Sequence, residues 1–295
     1  MTPQKKATVV SSSVAAVLTL IKLAIGITSG SVAVLASAVD SILDMFVSIF
    51  NYFAISNSEK PADRIFNYGR GKIEALASVI EGTIISISGL FLLYQAAKKA
   101  INNEAFQYLE IFIYVMIISL IITISLVIYL NSVAKKTNSM VIKADALHYK
   151  TDVFSNAAVL ISLLLVTFTG YEIIDVIVGG GIALYIIYSA YSLIQEGILV
   201  LLDRAVDEEV VSNIEEIIKQ NDKVNTYHLL KTREAANQTF VEVHLVFNCL
   251  ITLMEAHKAS DSIENKIKNL DSKRDWIINI HMDPYDDFKV NDTNH

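Results

Sequence analysis

Long, almost uninterrupted runs of apolar residues dominate the first two thirds of the chain. A helix of about 20 apolar residues is enough to cross a bilayer, and six segments reach that length. They cover residues 8–28, 32–56, 73–97, 109–131, 142–169 and 173–201. The pattern predicts an α-helical membrane protein with six transmembrane helices in a domain over residues 1–202.

The pattern changes at Asp203, after which apolar positions are periodic instead of continuous. Apolar residues three and four apart predict helices, and strict alternation predicts strands. The predicted elements are a helix over 207–220, strands over 224–232 and 239–247 with a turn over 235–238, a helix over 253–267 and a strand over 276–282. The order αββαβ predicts a ferredoxin-like α/β domain over residues 203–285, followed by a polar tail over 286–295.

Composition and charge agree with this division. Of the 295 residues 53% are hydrophobic, and the mean hydropathy is +0.45, which is typical of a membrane protein. From Asp203 onward 18 acidic residues face 11 basic ones, so the whole net charge of −7 lies in the last third. An acidic surface favours cations and disfavours nucleic acid. The single cysteine, Cys249, excludes an intrachain disulfide and a thiolate cluster.

Lysine and arginine are concentrated on one side of the predicted membrane domain, as in cytoplasmic loops. They precede the first helix and follow the second and fourth: Lys5, Lys6, Lys60, Arg64, Arg70, Lys72, Lys135, Lys136 and Lys143. Lys98 and Lys99, after the third helix, are the exception. The distribution predicts a multi-pass membrane protein with both termini in the cytoplasm.

Two carboxylates, Asp40 and Asp44, interrupt the second apolar run. Residues four apart lie on one face of a helix, and unpaired charges at this depth cost several kcal/mol. His148 and Asp152 repeat the spacing in the fifth run. Two helices with two oxygen or nitrogen ligands each suit a divalent metal such as zinc. We therefore predict an intramembrane metal site formed by these four side chains.

Lys22 and Glu81 are two further ionisable residues within apolar runs. An intramembrane carboxylate such as Glu81 is a functional candidate, and a role in a proton or ion path is one interpretation. Pairing with Lys22, or a hydrogen bond to a neighbouring helix, explains Glu81 equally well. The sequence leaves both interpretations open.

Four of the six histidines lie in the acidic domain. His228 and His244 fall on adjacent predicted strands, and His257 falls on the helix that crosses them. We expect His281 and Asp283, with one residue between them, to point to opposite faces unless the strand ends there. Each histidine alone could be an ordinary core or surface residue. Together, histidine and carboxylate ligands without thiolates suit zinc-like ions.

The paired DxxxD and HxxxD motifs, together with the segments 68–72 (Tyr-Gly-Arg-Gly-Lys) and 202–204 (Leu-Asp-Arg), resemble the cation diffusion facilitator family. The similarity extends from about Thr8 to Pro284 and is strongest to bacterial zinc and ferrous-iron efflux transporters. It implies a homodimer in the bacterial inner membrane, in contact with lipid, that exports zinc, and also ferrous iron, cadmium or cobalt, in exchange for protons.

The resemblance also implies roles for individual residues. The intramembrane transport site would consist of Asp40, Asp44, His148 and Asp152. A binuclear site at the dimer interface of a metallochaperone-like cytoplasmic domain would consist of His228, His244, His257, His281 and Asp283. Lys72 and Asp203 would form a charge pair at the membrane surface.

One loop departs from the family pattern. Relatives with a third metal site use an aspartate and two histidines in the loop after the second helix. Asp63 stands at the first of these positions, but Phe66 and Arg70 stand at the other two. An arginine does not ligate a cation, so we predict that the loop site is absent and that Asp63 is not a ligand.

Two other function classes fit parts of the sequence. A metal sensor that binds without transport would not need the intramembrane ligands, and a membrane enzyme that uses a zinc-activated water would need a general base beside them. We therefore expect neither an enzyme nor a bound cofactor. We expect alternating access, with protons competing for the ligands and His148 as the main proton carrier. Metal bound to the cytoplasmic domain would regulate transport.

Overall fold

Six long helices occupy the first two thirds of the computed structural model, which describes residues 1–29, 32–102, 110–169, 173–236, 238–272 and 274–286. The helices are α1 (Pro3–Ser29), α2 (Val32–Ser58), α3 (Lys72–Asn102), α4 (Glu110–Thr137), α5 (Met140–Thr169) and α6 (Ile173–Leu201). At 1.5 Å per residue each is roughly 40 Å long or more, which exceeds the bilayer hydrocarbon thickness of about 30 Å. The six predicted helices are confirmed.

Within the described residues, α1, α2, α3, α4 and α6 contain stretches long and apolar enough to cross a membrane. The first half of α5 carries Lys143, Asp145, Lys150 and Asp152. Asp145 is completely buried against the other helices. Transmembrane helices carry such residues where they face the interior of the bundle, so α5 is a spanning helix with a polar inner face.

An apolar core holds α1, α2, α4 and α5 together. It contains small and branched side chains such as Ala54, Ile55, Leu130 and Ile142, together with the ring of Tyr149. Large apolar side chains on the other faces of the helices are exposed, among them Leu20, Ile121 and Phe168. The apolar exterior is the surface expected of helices in contact with lipid.

Glycines bring α3 and α6 into close contact. A Cβ atom at Gly82 would lie 2.8 Å from a side-chain carbon of Ile194, and one at Gly197 would lie 2.6 Å from a side-chain carbon of Val79. Small residues at a helix interface allow two backbones to approach. The two helices therefore pack at a distance that larger side chains at these positions would prevent.

The chain divides into two compact units, Met1–Ile198 and Leu199–His295. The second unit contains α7 (Glu208–Lys219), β1 (Val224–Ala235), β2 (Gln238–Phe247), α8 (Leu253–Lys268) and β3 (Asp275–Asp283). Two acidic residues in the first turn of α7 complement its helix dipole. A capping box between Thr252 and Glu255 fixes the start of α8.

The three strands form one sheet in the order β1-β2-β3. β1 pairs with β2 in antiparallel orientation, and β2 pairs with β3 in parallel orientation. Apolar side chains of both helices, including Ile214 and Ile263, pack with Leu245 and Trp276 of the sheet. The predicted αββαβ order is confirmed. The first strand is longer than predicted, because it remains paired to β2 up to Ala235.

Candidate metal centres

Asp44, His148 and Asp152 form a cluster inside the first unit, hereafter the membrane cluster. Each side chain offers one ligand atom, and these atoms lie within 4.8 Å of one another. His148 Nε2 lies 3.0 Å from Asp44 Oδ1, and the two side chains are only 12% and 20% exposed. Two carboxylates and an imidazole held this closely, and mostly away from water, match the donor set of a zinc-like ion.

Asp40 lies one turn before Asp44 on α2 and is exposed. Its carboxylate is repelled by the carboxylate of Asp44 and attracted by the ammonium of Lys22. It is not among the three ligand groups that converge. The structure thus brings together three of the four predicted ligands and leaves Asp40 at the edge of the cluster.

Lys22 lies next to the membrane cluster and is buried. Its Nζ donates hydrogen bonds to Ser41 Oγ at 2.8 Å and to the backbone oxygen of Ser37 at 3.3 Å. Its charge also interacts with the carboxylates of Asp44, Asp152 and Asp40. Lys22 therefore joins α1 to α2 and adds one positive charge beside the acidic cluster. Its hydrogen bonds go to α2 and not to Glu81, which accepts a hydrogen bond from Asn51 instead.

Further along α2 lies a second group of buried polar residues, which connects α2 with α3 and α5. Asn51 Nδ2 donates to Glu81 Oε2 at 3.0 Å and to Asp145 Oδ1 at 3.3 Å. Ser48 Oγ lies 2.9 Å from the hydroxyl of Tyr149. Sequence reasoning singled out Glu81 but missed Asn51 and Asp145. The sequence did contain a signal for Asp145, because it lies three residues before His148 and therefore on the same face of the helix.

In the second unit, three histidines form a row across the sheet. His228 on β1 is paired in register with His244 on β2, and His244 is paired with His281 on β3. Register partners share a face of the sheet, and the ring centroids are 5.0 Å and 4.5 Å apart. The row exists because β2 is central and pairs with both neighbours.

Asp283 connects the members of this row, and the four residues together are hereafter the sheet cluster. Asp283 Oδ2 lies 3.0 Å from His244 Nδ1 and 3.5 Å from His228 Nε2. Asp283 Oδ1 lies 3.1 Å from His281 Nε2. The expectation that His281 and Asp283 point to opposite faces is wrong, because side chains two residues apart in a continuous strand share a face.

A β-bulge lies beside His228. The pairing of β1 with β2 shifts between His228 and Lys231, and Leu229 has a φ of 50°. A bulge inserts one residue and redirects the flanking side chains, and a left-handed non-glycine residue costs about 1–3 kcal/mol. The bulge allows His228 to face the other members of the sheet cluster while Leu230 packs against the apolar core.

His257 on α8 is not part of the sheet cluster within one chain. Its side chain is 62% exposed, and its Nε2 lies 3.6 Å from Asp261 Oδ2. Its assignment to a binuclear site at a dimer interface therefore stays a prediction, since it depends on a second copy of the chain.

The carboxylate of Asp63 is engaged by its own loop. It accepts hydrogen bonds from the backbone N–H groups of Ile65 and Phe66 and from the Arg70 guanidinium at 2.5 Å. The Phe66 and Ile65 amides, with smaller contributions from Arg70, hold the pKa of Asp63 below its usual value. The guanidinium also lies 4.4 Å above the Phe66 ring. Side chains 63, 66 and 70 thus converge, with Arg70 as the cation.

Asp203 accepts a hydrogen bond from Arg233 at 3.2 Å within the second unit. The predicted charge pair between Lys72 and Asp203 would join the two units and stays a prediction.

Comparison with known proteins assigns the family. Residues 8–202 match the model of the cation efflux transmembrane domain, and residues 206–285 match the model of the cytoplasmic domain of cation efflux proteins. The chain belongs to the cation efflux family. The cation-efflux pump FieF of Yersinia enterocolitica is 36% identical over 280 residues, which cover 95% of this chain and 92% of that protein. The FieF proteins of Yersinia pestis and Yersinia pseudotuberculosis are 35% identical with the same coverage.

The match covers both units and agrees with the resemblance found in the sequence. A member of the cation efflux family is a membrane transporter and not an enzyme, so these two predictions are confirmed. The second family model describes a dimerising domain, which agrees with the prediction that the chain assembles with itself.

Proposed function

We propose that this cation efflux protein exports divalent metal ions in exchange for protons, with zinc as the first candidate and ferrous iron, cadmium and cobalt as others. The observation that carries the proposal is the convergence of Asp44, His148 and Asp152 between α2 and α5. One imidazole with carboxylates suits borderline divalent ions, whereas carboxylates alone would favour manganese. The FieF relatives, which are cation-efflux pumps by name, support this function.

The coupling to protons follows from the ligands themselves. A metal ion binds only deprotonated carboxylates and a neutral imidazole, so protons and metal compete for the membrane cluster. We assign Asp40 as the fourth ligand, because it lies one turn from Asp44 on the same face of α2. In an alternating-access cycle, metal loads from the cytoplasm and protons from the other side displace it.

We assign the sheet cluster a regulatory role. His228, His244, His281 and Asp283 provide nitrogen and oxygen donors without a thiolate, which fits a zinc-like ion. His257 would join them across the interface of a homodimer. Metal in these sites would hold two C-terminal units together and favour the state that loads from the cytoplasm. The protein would lie in the bacterial inner membrane with both termini in the cytoplasm.

Metal flux into sealed proteoliposomes tests the function. Zinc, ferrous iron and manganese are compared with and without an imposed pH gradient, with Asp44→Ala as the inactive control. We expect zinc or iron flux that requires both Asp44 and the gradient. Flux that ignores the gradient would refute the antiport mechanism. Binding without any flux would indicate a sensor instead.

A further inference from the structure

Glu81 and Asp145, hereafter the buried pair, are two carboxylates with the same amide donor. They are 1% and 0% exposed, and Asn51 Nδ2 contacts both. Glu81 Oε1, Asp145 Oδ2 and Asn51 Oδ1 are buried and have no hydrogen-bond partner among the described residues. Three acceptors without a donor in a buried polar site indicate that a hydrogen or a cation is needed there, because unsatisfied buried polar atoms are costly.

The hydrogen-bond partners of the buried pair are neutral. Asn51 and Ser48 of α2 are bonded to it, and Ser11 of α1 lies beside Asp145. The ionisable groups that interact with it electrostatically are His148 and Tyr149, both on α5. Two like charges in one buried site are strongly unfavourable, and carboxyl pairs of this kind retain one proton.

The buried pair is connected to the membrane cluster by one face of each of two helices. On α2 this face carries Asp44, Ser48 and Asn51, at intervals of four and three residues. On α5 it carries Asp152, His148 and Asp145, and contacts along it pair Asp44 with His148 and Asn51 with Asp145. At 1.5 Å per residue, Asn51 lies about 10 Å from Asp44 along α2. The two sites are separate, but both lie where these polar faces of α2 and α5 meet, hereafter the polar seam.

We propose that the buried pair is a proton-binding site, distinct from the metal ligands, that holds one proton between Glu81 and Asp145 when metal is absent. Water supplies and accepts this proton, which bonds to a carboxylate oxygen and leaves as hydronium. The proposal rests on the transport function proposed above and locates part of its coupling. Glu81 and Asp145 lie outside the membrane cluster, so they act on transport through the electrostatic effect of their charge on that cluster.

Electrostatics sets the direction of the coupling. A divalent ion in the membrane cluster places positive charge one to two helical turns from the buried pair and favours its fully ionised form. Metal loading therefore releases the proton, and by reciprocity protonation of the buried pair weakens metal binding. A metal–proton exchange results even though the two ligands occupy different sites.

Two transport assays on the full-length protein separate the roles. Zinc–zinc exchange without a pH gradient reports metal binding and alternation, and net zinc flux under a gradient reports coupling. We expect Glu81→Gln and Asp145→Asn to retain exchange, whereas stimulation by the gradient falls about tenfold or more, the size of a typical coupling factor. Stimulation that remains at the wild-type level in both variants would overturn the proposal.

Glu74→Gln is the matched control on the same helix. Glu74 is also buried, but both of its oxygens accept hydrogen bonds, from Ser58 at 3.2 Å and from Ser139 at 2.6 Å. We expect this variant to keep the stimulation by the gradient. A loss equal to that in Glu81→Gln would show that any buried carboxyl on α3 matters and would contradict a specific proton site.

Infrared difference spectroscopy tests the buried pair without transport. We expect a protonated-carboxyl band in the metal-free protein at neutral pH that weakens when zinc is added. The band should disappear in Glu81→Gln and Asp145→Asn and persist in Glu74→Gln. Its absence from the wild-type protein would overturn the proposal. If the wild type showed the band but no zinc exchange of any kind, the transport function would fail and the proton site would stand.

Discussion

His148 Nε2 lies 3.0 Å from Asp44 Oδ1, although the two residues are 104 positions apart in the chain. The contact joins α5 to α2 through two of the three side chains of the membrane cluster. A metal ion bound by both side chains would have to replace this contact.

The two aspartates of α2 should differ in their effect on metal binding. Asp44 belongs to the membrane cluster, whereas Asp40 lies outside it and is exposed. We expect Asp40→Asn to weaken zinc binding by about 10–100-fold, equivalent to about 1.4–2.8 kcal/mol, and Asp44→Asn to weaken it more, because Asp40 has to move from the edge of the cluster to act as the fourth ligand. Titration calorimetry of both purified variants measures the difference. Equal losses in the two variants would contradict this difference and would show that Asp40 and Asp44 contribute equally to the metal-bound site.

Lys22 should oppose metal binding. Its charge acts on the same carboxylates that would hold the ion, so replacing it with a neutral side chain of similar length removes a competing cation. We expect Lys22→Met to tighten zinc binding by about tenfold, equivalent to about 1.4 kcal/mol. Lys150→Met is the control, because Lys150 donates to Tyr185 on α6. An unchanged affinity in Lys22→Met would show that its role is confined to the bonds with Ser37 and Ser41.

The fold was predictable because its two patterns are strong. Continuous apolar runs define helices of membrane length, and alternation defines the three strands. Element ends were less accurate, as β1 shows: its last residues up to Ala235 remain paired, but their mixed polar sequence does not alternate. The bulge at Leu229 was not predictable either, since nothing in the local sequence provides the glycine that favours a positive φ.

The ligand pairs were predictable from spacing within one helix, but their meeting was not. Residues four apart share a face, which predicted Asp44 with Asp40 and His148 with Asp152. Which members of the two pairs meet depends on how α2 and α5 are placed against each other, and that placement leaves Asp40 outside. Asn51 and Asp145 were missed for the same reason, because their importance arises only when α3 brings Glu81 to them.

A metal site should be possible in the loop that follows α2. Side chains 63, 66 and 70 already converge, and the lowered pKa of Asp63 shows that this carboxylate remains ionised at neutral pH. We expect the double variant F66H/R70H to bind one additional zinc ion per chain, measured by elemental analysis of the purified protein. The variant F66A/R70A removes the same side chains without adding ligands. Equal zinc content in both variants would contradict the prediction.

The contact between α3 and α6 should not tolerate a side chain at Gly197. A Cβ there would lie 2.6 Å from Val79 and 3.1 Å from the backbone oxygen of Ala75. We expect Gly197→Ala to destabilise the protein by about 1–3 kcal/mol, as overpacked interiors do, and to lower the midpoint of thermal unfolding in detergent. Gly180→Ala is the control on the same helix, since a Cβ at Gly180 meets no atom of the described residues within 4 Å. An equal fall in both variants would point to helix flexibility as the cause.

Two histidine variants should show whether the metal site of the sheet cluster lies within one chain or is shared between two chains. His244 lies 3.0 Å from Asp283 and between the other two histidines of the row, so His244→Ala should remove metal from each chain whatever its assembly. His257 is exposed and apart from the cluster, so His257→Ala should remove metal only from the dimer. Zinc content and molar mass by light scattering, both measured in an Asp44→Ala background, separate these cases. Metal loss in monomeric His257→Ala would show that α8 contributes to the site of its own chain.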